Sequence, residues 1–272
     1  MGPRKPLLLL LIVFFLGAAG VLVAQWRTDT PQSRVRLGVV PEERSGFTFC
    51  RLYYTSTRRE QGGYGWSTDF PLGDENLMFR LAELTKTGIT RFSDGAPEHA
   101  LVRATDDALF ECPFLFASDI GTVTFNSEEV EGLREYFLKG GQLWVDDFWG
   151  VRAFEQFSQQ ILRVLPEYSI APLPPEHPIF SSFYYVDEIP QLPNIQHWRG
   201  TGGQTSERGR GSQEAKLYAI LDEHGRTLVL MTHNTDIADS WEREGEDFQF
   251  FHLFSPKGYS VGVNVAIWSM TH

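Results

Sequence analysis

Cysteine is scarce in this sequence, and established catalytic motifs are missing from it. The chain has two cysteines, Cys50 and Cys112, which are too few for a zinc site built from cysteine alone. Both lie far apart in apolar segments, so we expect buried thiols, although export would also permit a disulfide. There is no GxSxG elbow, no Walker A loop and no GxGxxG segment after a strand. No motif-supported serine or cysteine nucleophile accompanies a histidine.

Positive charge is also in deficit. The chain has 24 lysines and arginines against 35 aspartates and glutamates, for a formal net charge of -11. Such a surface repels phosphate backbones, and no compact basic stripe offsets it, so we expect no binding to nucleic acid. Hydrophobic residues make up 42% of the chain, which is ample for a substantial core.

The N-terminus contains the longest apolar run. Arg4 and Lys5 precede an uninterrupted stretch of apolar and small residues, 7–24. This arrangement predicts a signal peptide over residues 1–24, followed by a polar linker over 25–45. Because the run is near the lower length limit for a membrane-spanning helix, an uncleaved anchor is the alternative. In both cases we expect an exported chain that is periplasmic or faces the periplasm from the membrane.

From residue 46 onward, short apolar segments alternate with amphipathic ones. Strands are predicted at 47–54, 113–119 and 142–147, and helices at 74–88, 126–141, 151–166 and 258–272. Asp74 is the predicted N-cap of the first helix, and Asn126 with Glu129 predicts a capping box. Two apolar runs about the turn at 222–225 predict a hairpin. The alternation predicts one α/β domain over 46–272, with a mostly parallel sheet and helices on both faces.

Two adjacent aspartates end the predicted strand in the segment GGQLWVDDFWG (140–150). Ligands of open parallel sheets bind outside the carboxyl ends of the strands, so Asp146 and Asp147 are catalytic candidates, with Asp119 on the same edge. The alternative is that Asp146 or Asp147 only caps the helix that begins near Val151. The preference of aspartate for N-cap positions favours this alternative.

A second polar cluster occupies the segment MTHNTDIADSWERE (231–244). Its histidine, asparagine and acids could hold a hard cation or orient a water molecule, although the spacing matches neither an EF-hand nor HExxH. Solvated or hydrogen-bonded side chains are the alternative. The catalytic candidates here are His233 and Asp236, the binding candidates are Asn234 and Trp241, and the metal candidates are His233, Asp236 and Asp239 together with Asp147. A divalent cation is the cofactor that these ligand types fit.

A third stretch, GYGWSTDFPLGD (63–74), combines aromatic rings with acids. Ring faces stack on sugars and peptides while carboxylates accept hydrogen bonds, so Tyr64, Trp66, Asp69 and Asp74 are binding candidates. An aromatic plug beneath a long loop is an equally good interpretation.

Several ordered motifs over residues 46–272 resemble a bacterial domain-of-unknown-function family, DUF4159. They are WSTDFPLGDENL (66–77), FLFASD (114–119), GGxLWVDD (140–147), PPEHPIFSSFY (174–184), HNTDIADSWE (233–242) and GYSVGVN (258–264). The resemblance implies a flavodoxin-like α/β domain similar to class I glutamine amidotransferases, and it implies no known reaction. In those folds the corresponding strand leads to an elbow with a nucleophilic cysteine, whereas here it leads to Asp146 and Asp147.

Two functions remain open at this point. The first is an exported bacterial envelope protein that acts as a binding or scaffold module without glutaminase activity, since a carboxylate cannot supply the thiolate. The second is a metal-assisted hydrolase of an envelope glycan or peptide, which requires Asp147 and Asp236 to lie close together. The expected partners are the inner membrane, through the N-terminal segment, and other envelope proteins.

Overall fold

The computed structural model describes residues 34–42 and 46–272. The predicted signal peptide or anchor over 1–24, and most of the predicted linker, lie outside the described residues. In the described part of the chain, no helix combines the length and the hydrophobicity needed to cross a bilayer. Residues Val35–His272 form one compact unit.

A seven-stranded, mostly parallel sheet forms the centre of this unit. Within the described ranges the strands are β1 (Cys50–Tyr53), β2 (Thr55–Ser56), β3 (Ala100–Arg103), β4 (Phe114–Ala117), β5 (Val123–Thr124), β6 (Gln142–Phe148), β7 (Ala171–Pro172), β8 (Lys216–Leu221) and β9 (Thr227–His233). The order in the main sheet is β3-β1-β4-β6-β9-β8-β7; β8 runs antiparallel to both of its neighbours, β9 and β7, and all other neighbouring pairs are parallel. Strands β2 and β5 form a separate antiparallel pair. The predicted α/β class and the hairpin are confirmed.

Helices cover both faces of the sheet. They are α1 (Leu72–Leu84), α2 (Ser127–Leu138), α3 (Gly150–Val164), α4 (Ile195–Thr201), α5 (Asp239–Glu242) and α6 (Phe248–Thr271). The side chains of β6 alternate between two hydrophobic cores, as expected for a strand buried on both sides. Leu143 and Val145 pack into the core beneath α2 and α3, and Trp144 packs into the core beneath α1 and α6.

The helix starts follow local capping chemistry, with one correction. Asn126 Oδ1 accepts from Glu129 N at 3.0 Å and the Glu129 carboxylate accepts from Asn126 N at 2.8 Å, so the predicted capping box is confirmed. The prediction that Asp74 caps α1 is wrong, because α1 begins at Leu72 and Asp74 lies within its first turn. There the Asp74 carboxylate binds the buried Arg51 instead.

Cys50 and Cys112 form a disulfide, so the expectation of two buried thiols is wrong. Cys50 begins β1 and Cys112 directly precedes β4, and these strands are neighbours in the sheet. The bond therefore joins the amino ends of β1 and β4, with a Cα–Cα distance of 6.0 Å. The two cysteines are 62 positions apart in sequence, so their proximity cannot be recognised there. It arises because β3, which follows β1 in the chain, pairs with the outer side of β1, and the next strand, β4, pairs with its inner side.

Candidate functional site

The loops after β1 and β4 meet at the carboxyl edge of the sheet. From β1 the chain continues to β3 on one side of the sheet, and from β4 it continues to β6 on the other side. Open α/β sheets form ligand crevices at the point where neighbouring strands connect in opposite directions. Tyr54 Oη donates to the carbonyls of Ser118 and Asp119 at 2.7 and 2.8 Å. Ser118 Oγ donates to Asp69 Oδ2 at 2.7 Å, and Gly65 N donates to Asp119 Oδ2 at 2.8 Å. These bonds fix two acids at the same point of the edge.

This edge also contains every non-glycine residue with a left-handed backbone in the described ranges. They are Asp69 (φ 63°), Asp119 (φ 49°), Asp147 (φ 52°) and Asn234 (φ 62°). Aspartate and asparagine tolerate this conformation better than other non-glycine residues, yet it still costs free energy. Such residues cluster at functional sites, where the surrounding structure holds them in place.

Asp146 is fully buried and hydrogen-bonded by two neighbours. Its Oδ1 accepts from Thr232 Oγ1 at 2.6 Å and its Oδ2 accepts from Ala238 N at 3.0 Å. Burial raises the pKa of Asp146 to about 7, against the lowering effect of these hydrogen bonds. Asp146 therefore joins β6 to β9 and to the segment that leads into α5.

Asp147 faces a crowded acidic environment. Its Oδ1 accepts from Trp149 Nε1 at 2.8 Å. Burial raises the pKa of Asp147 well above its usual range, and the charges of Glu207 and Asp119 raise it further. The carboxyl group consequently favours its protonated form.

Neither aspartate of the pair caps α3, so the capping interpretation is wrong. The N-cap residue of α3 is Trp149, whose side chain makes no capping bond. Gly150 N donates instead to Asn234 Oδ1 at 2.7 Å. The register of β6 against β9 shifts between Val145 and Phe148, and the left-handed Asp147 lies inside this irregularity. The carboxylates are thus oriented by a bulge that sequence spacing does not reveal.

Asp236 and Asp239 are also buried at this edge. Asp236 Oδ1 accepts from Asp239 N at 3.0 Å, and Asp239 Oδ2 accepts from Ile195 N at 2.9 Å. Burial raises the pKa of Asp236 well above its usual range, and the next largest cause is the charge of Asp147. The charge of Asp147 therefore acts on Asp236.

Three carboxylates converge closely enough to hold a cation. Asp69, Asp239 and Glu242 each offer an oxygen, and these oxygens all lie within 4.8 Å of one another. Burial raises the pKa of Glu242 to about 7, with the charge of Asp69 as the next cause. Arg243 Nε lies 2.8 Å from Glu242 Oε2 and offsets part of the negative charge. Three carboxylate oxygens suit a hard divalent cation.

The sequence identified only part of this group. Asp239 was a predicted ligand, whereas Asp69 was predicted only to bind substrate and Glu242 was one acid among several in its segment. No motif links Asp69 to Asp239, because they belong to loops that meet only across the folded sheet. Asp147 and Asp236 lie nearby but outside the group of converging oxygens.

His233 lies apart from the converging carboxylates. Its ring packs against Phe148 and Phe154 with centroid distances of 4.9 and 5.0 Å, and Nε2 lies 3.1 Å from the carbonyl oxygen of Gly150. Burial lowers the pKa of His233 to about 4, so the ring is neutral near pH 7. With Nε2–H donating to that carbonyl, His233 acts as a core residue that supports the start of α3.

Several predicted binding residues have structural roles. Asp74 is fully buried in an ion pair with Arg51, and Trp241 is fully buried and packs on Trp144 and Phe116. An acid or an aromatic ring near a loop can pack inward, and these contacts give both side chains a role in the core.

The other predicted binding residues differ in accessibility. Tyr64 is 64% exposed, whereas the half-buried ring of Trp66 packs on Tyr53 and Phe70 at 4.9 and 5.4 Å. Asn234 is 2% exposed, and both ends of its carboxamide bind backbone groups. Of the aromatic residues in this loop, Tyr64 is the most exposed.

The comparison with protein families confirms the expected relationship. The sequence model of the family described as "Domain of unknown function (DUF4159)" matches residues 48–270. This match spans most of the chain, and the chain therefore belongs to that family. No curated protein sequence matches it.

Proposed function

We propose that this member of the DUF4159 family binds a divalent cation through Asp69, Asp239 and Glu242 and acts as a metal-assisted hydrolase. The observation that supports the proposal is the convergence of their carboxylate oxygens within 4.8 Å. Buried like charges are costly, and a cation at their centre would offset that cost. A bound cation supplies a water of lowered pKa and polarises a carbonyl or phosphoryl oxygen.

The acid–base group in this proposal is Asp147. Burial raises the pKa of Asp147 well above its usual range, which favours the protonated carboxyl group that a general acid needs. The charge of Asp119, on the same edge, raises the pKa of Asp147 further, and the charge of Asp147 in turn raises the pKa of Asp236. The exposed ring of Tyr64 offers a surface on which a sugar or a peptide side chain can stack.

We also propose an amidotransferase-like fold without glutaminase activity. The five parallel strands have the order second, first, third, fourth, fifth along the chain, which matches flavodoxin-like sheets. In such a fold, the left-handed Asp147, at the end of β6 and shortly before α3, would correspond to the position of the elbow cysteine. Glutaminase chemistry needs a free thiolate, and the two cysteines of this chain are joined in a disulfide.

The disulfide also supports a location outside the cytoplasm. Disulfides persist in oxidising compartments and are rare in the cytosol. Together with the apolar N-terminal run, it favours an exported protein whose substrate is a glycan or peptide of the bacterial envelope. A reporter fused to the C-terminus of the chain tests this part of the proposal. We expect the full-length fusion to be secreted and a fusion that lacks residues 1–24 to remain in the cell.

Cation binding is tested by calorimetry and thermal unfolding after dialysis against EDTA. We expect one Mn²⁺ per chain, and at 100 times the dissociation constant about 2.7 kcal/mol of added stability. Asp69→Asn keeps the left-handed backbone and the approximate shape, and should weaken Mn²⁺ binding at least tenfold. Glu135→Gln, on an exposed residue of α2, is the matched control and should bind normally. If Mn²⁺, Mg²⁺, Ca²⁺ and Zn²⁺ all leave the melting temperature unchanged, the proposal is wrong.

A cation-dependent binding module is the second candidate, favoured by the complete burial of Asp146 and Asp239. Turnover separates the two candidates. The purified protein with Mn²⁺ is incubated with envelope glycan and peptide fragments, and products are followed by mass spectrometry. A hydrolase should lose turnover in Asp147→Asn while retaining Mn²⁺ binding. Binding of fragments without any release of products would support the binding module.

A further inference from the structure

We propose that a cavity beside the acidic edge, lined by arginines from three separate segments, binds a phosphate or pyrophosphate group of the ligand. We call it the arginine cavity. Its charged lining residues are Arg58, Arg59, Arg152, Arg208, Arg210 and Glu60. A phosphate group would define the class of ligand on which the proposed hydrolase acts. Only the part played by the cation rests on the proposed function.

The charge of the arginine cavity is opposite to that of the whole chain. Five arginines and one glutamate line it, in a chain whose formal net charge is -11. Its volume is about 390 Å³, within the range of small-molecule sites. The arginines are dispersed along the sequence, which is why no basic stripe is visible there.

Two of these arginines have unused binding capacity. Arg152 and Arg210 are exposed, and neither forms an ion pair or a side-chain hydrogen bond with any residue in the described ranges. A guanidinium group binds phosphate oxygens in a bidentate manner and is always charged, so the pair is suited to a phosphate group.

The remaining arginines are held in position. Arg58 and Arg208 both pair with Glu60, at 2.5 and 3.6 Å. The Arg208 guanidinium also donates to the carbonyl of Gln61 at 2.7 Å, and the Arg59 guanidinium lies 4.7 Å from the centroid of the Tyr64 ring. These contacts preorganise one wall of the arginine cavity and connect it to the exposed Tyr64.

The N-terminus of helix α3 opens into the same cavity. Gly150, Val151 and Arg152 form its first turn and contribute to the lining. Gly150 N already donates to Asn234 Oδ1, whereas the N-cap Trp149 provides no side-chain cap for the N–H groups that follow. The helix is 15 residues long, so its dipole and first-turn N–H groups favour a bound anion. This helix end adds an independent attraction to that of the arginines.

The arginine cavity adjoins the acidic edge. Trp149 lines the cavity and donates to Asp147 Oδ1 at 2.8 Å. Glu60 and Arg208 are close enough to Asp119 for their charges to act on it. A ligand with its phosphate group among the arginines could therefore extend towards the carboxylates and their cation.

The test uses inorganic pyrophosphate as the probe, with calorimetry in EDTA so that no cation contributes. We expect pyrophosphate to bind, with an affinity that falls as ionic strength rises. The double variant Arg152→Gln/Arg210→Gln should lose at least tenfold in affinity. Arg91→Gln/Arg103→Gln removes the same charge from residues outside the cavity lining and should change the affinity less than about twofold. Equal affinity in the two double variants, or no binding by the wild type, would overturn the inference.

Two further arms separate this inference from the proposed function. Acetate should not compete with pyrophosphate, and competition by acetate at equal concentration would show a general carboxylate site and refute the phosphate assignment. Asp69→Asn in EDTA should bind pyrophosphate as the wild type does. If pyrophosphate binds only with Mn²⁺ and not to Asp69→Asn, the cation holds the anion and the arginine cavity does not. If pyrophosphate binds but Mn²⁺ does not, the inference stands and the proposed function fails.

Discussion

The two ends of the neighbouring strands β1 and β4 differ in chemistry. At the amino ends, Cys50 and Cys112 form a buried disulfide. At the carboxyl ends, Asp69 and Asp119 have left-handed backbones and lie among other buried acids. The amino edge of the sheet is thus stabilised by a covalent bond. The carboxyl edge contains buried like charges and left-handed backbone, both of which cost stability. Such a division is typical of proteins that give up stability at a functional site and recover it elsewhere.

The largest effect should come from Arg51→Met, which disrupts the support of the acidic edge. Arg51 is fully buried, pairs with Asp74, and donates to the carbonyls of Trp66 and Thr68 at 3.1 and 2.8 Å. Its loss leaves a buried carboxylate and two carbonyls without donors, which should cost about 5 kcal/mol of unfolding free energy. Urea unfolding measures this loss. A cost below about 1 kcal/mol would show that Asp74 is neutralised by another route.

The double variant Cys50→Ala/Cys112→Ala disrupts the opposite edge. Because the cysteines are 62 positions apart in sequence, loss of the cross-link should cost about 4 kcal/mol, since the unfolded chain gains conformational freedom. Mn²⁺ affinity should be unchanged, since no cysteine lies at the acidic edge. Wild-type protein in reductant provides the control and should show the same loss. A fall in Mn²⁺ affinity would contradict the division between the two edges.

The sequence predicted the class of the fold well because hydrophobic periodicity and capping are local. Asn126 with Glu129 and the strand QLWVDD were recognisable from a few neighbouring residues. The disulfide was not, because its formation depends on the return of the chain to β4 after β3. The roles of Asp146, Asp147 and Asn234 were also hidden, since a bulge in β6 decides which side chain reaches the start of α3.

The candidate site was predicted in composition but not in arrangement. The acids of two segments were identified, and their convergence at the strand ends follows from the parallel sheet. The group of Asp69, Asp239 and Glu242 could not be derived, because it depends on how two loops cross the edge. Nor could burial be predicted for Asp74 and Trp241, since a polar or aromatic residue in a loop faces inward or outward according to its tertiary neighbours.

Stability should depend on pH through the acidic edge and not through the disulfide edge. Burial raises the pKa of Asp146 to about 7, from an ordinary value of 3.8. The folded state therefore binds more protons than the unfolded state between these values, and stability in EDTA should fall as pH rises from about 4 to about 7. Each such proton lowers the free energy of unfolding by up to about 1.4 kcal/mol for each pH unit of increase.

Thermal unfolding in EDTA across this pH range measures the slope. Asp146→Asn removes one titrating group and should reduce the slope, whereas the exposed variant Glu135→Gln should leave it unchanged. Mn²⁺ should restore stability most strongly at the highest pH of this range, where the carboxylates are ionised. Stability that rises with pH in EDTA would show that these acids are neutralised by other partners.

The smallest effects should come from Asn234, and they isolate the contribution of the left-handed backbone. Asn234 Oδ1 caps α3, and its amide donates to the carbonyls of Gly211 and Glu214 at 3.1 and 2.8 Å. Asn234→Gly retains the positive φ and loses these bonds, which should cost about 1 kcal/mol in urea unfolding. Asn234→Ala loses the same bonds and adds the strain of a left-handed Cβ, so it should cost about 1 kcal/mol more. If the two variants were equally stable, the positive φ would impose no cost, and the acidic edge would differ from the disulfide edge in charge alone.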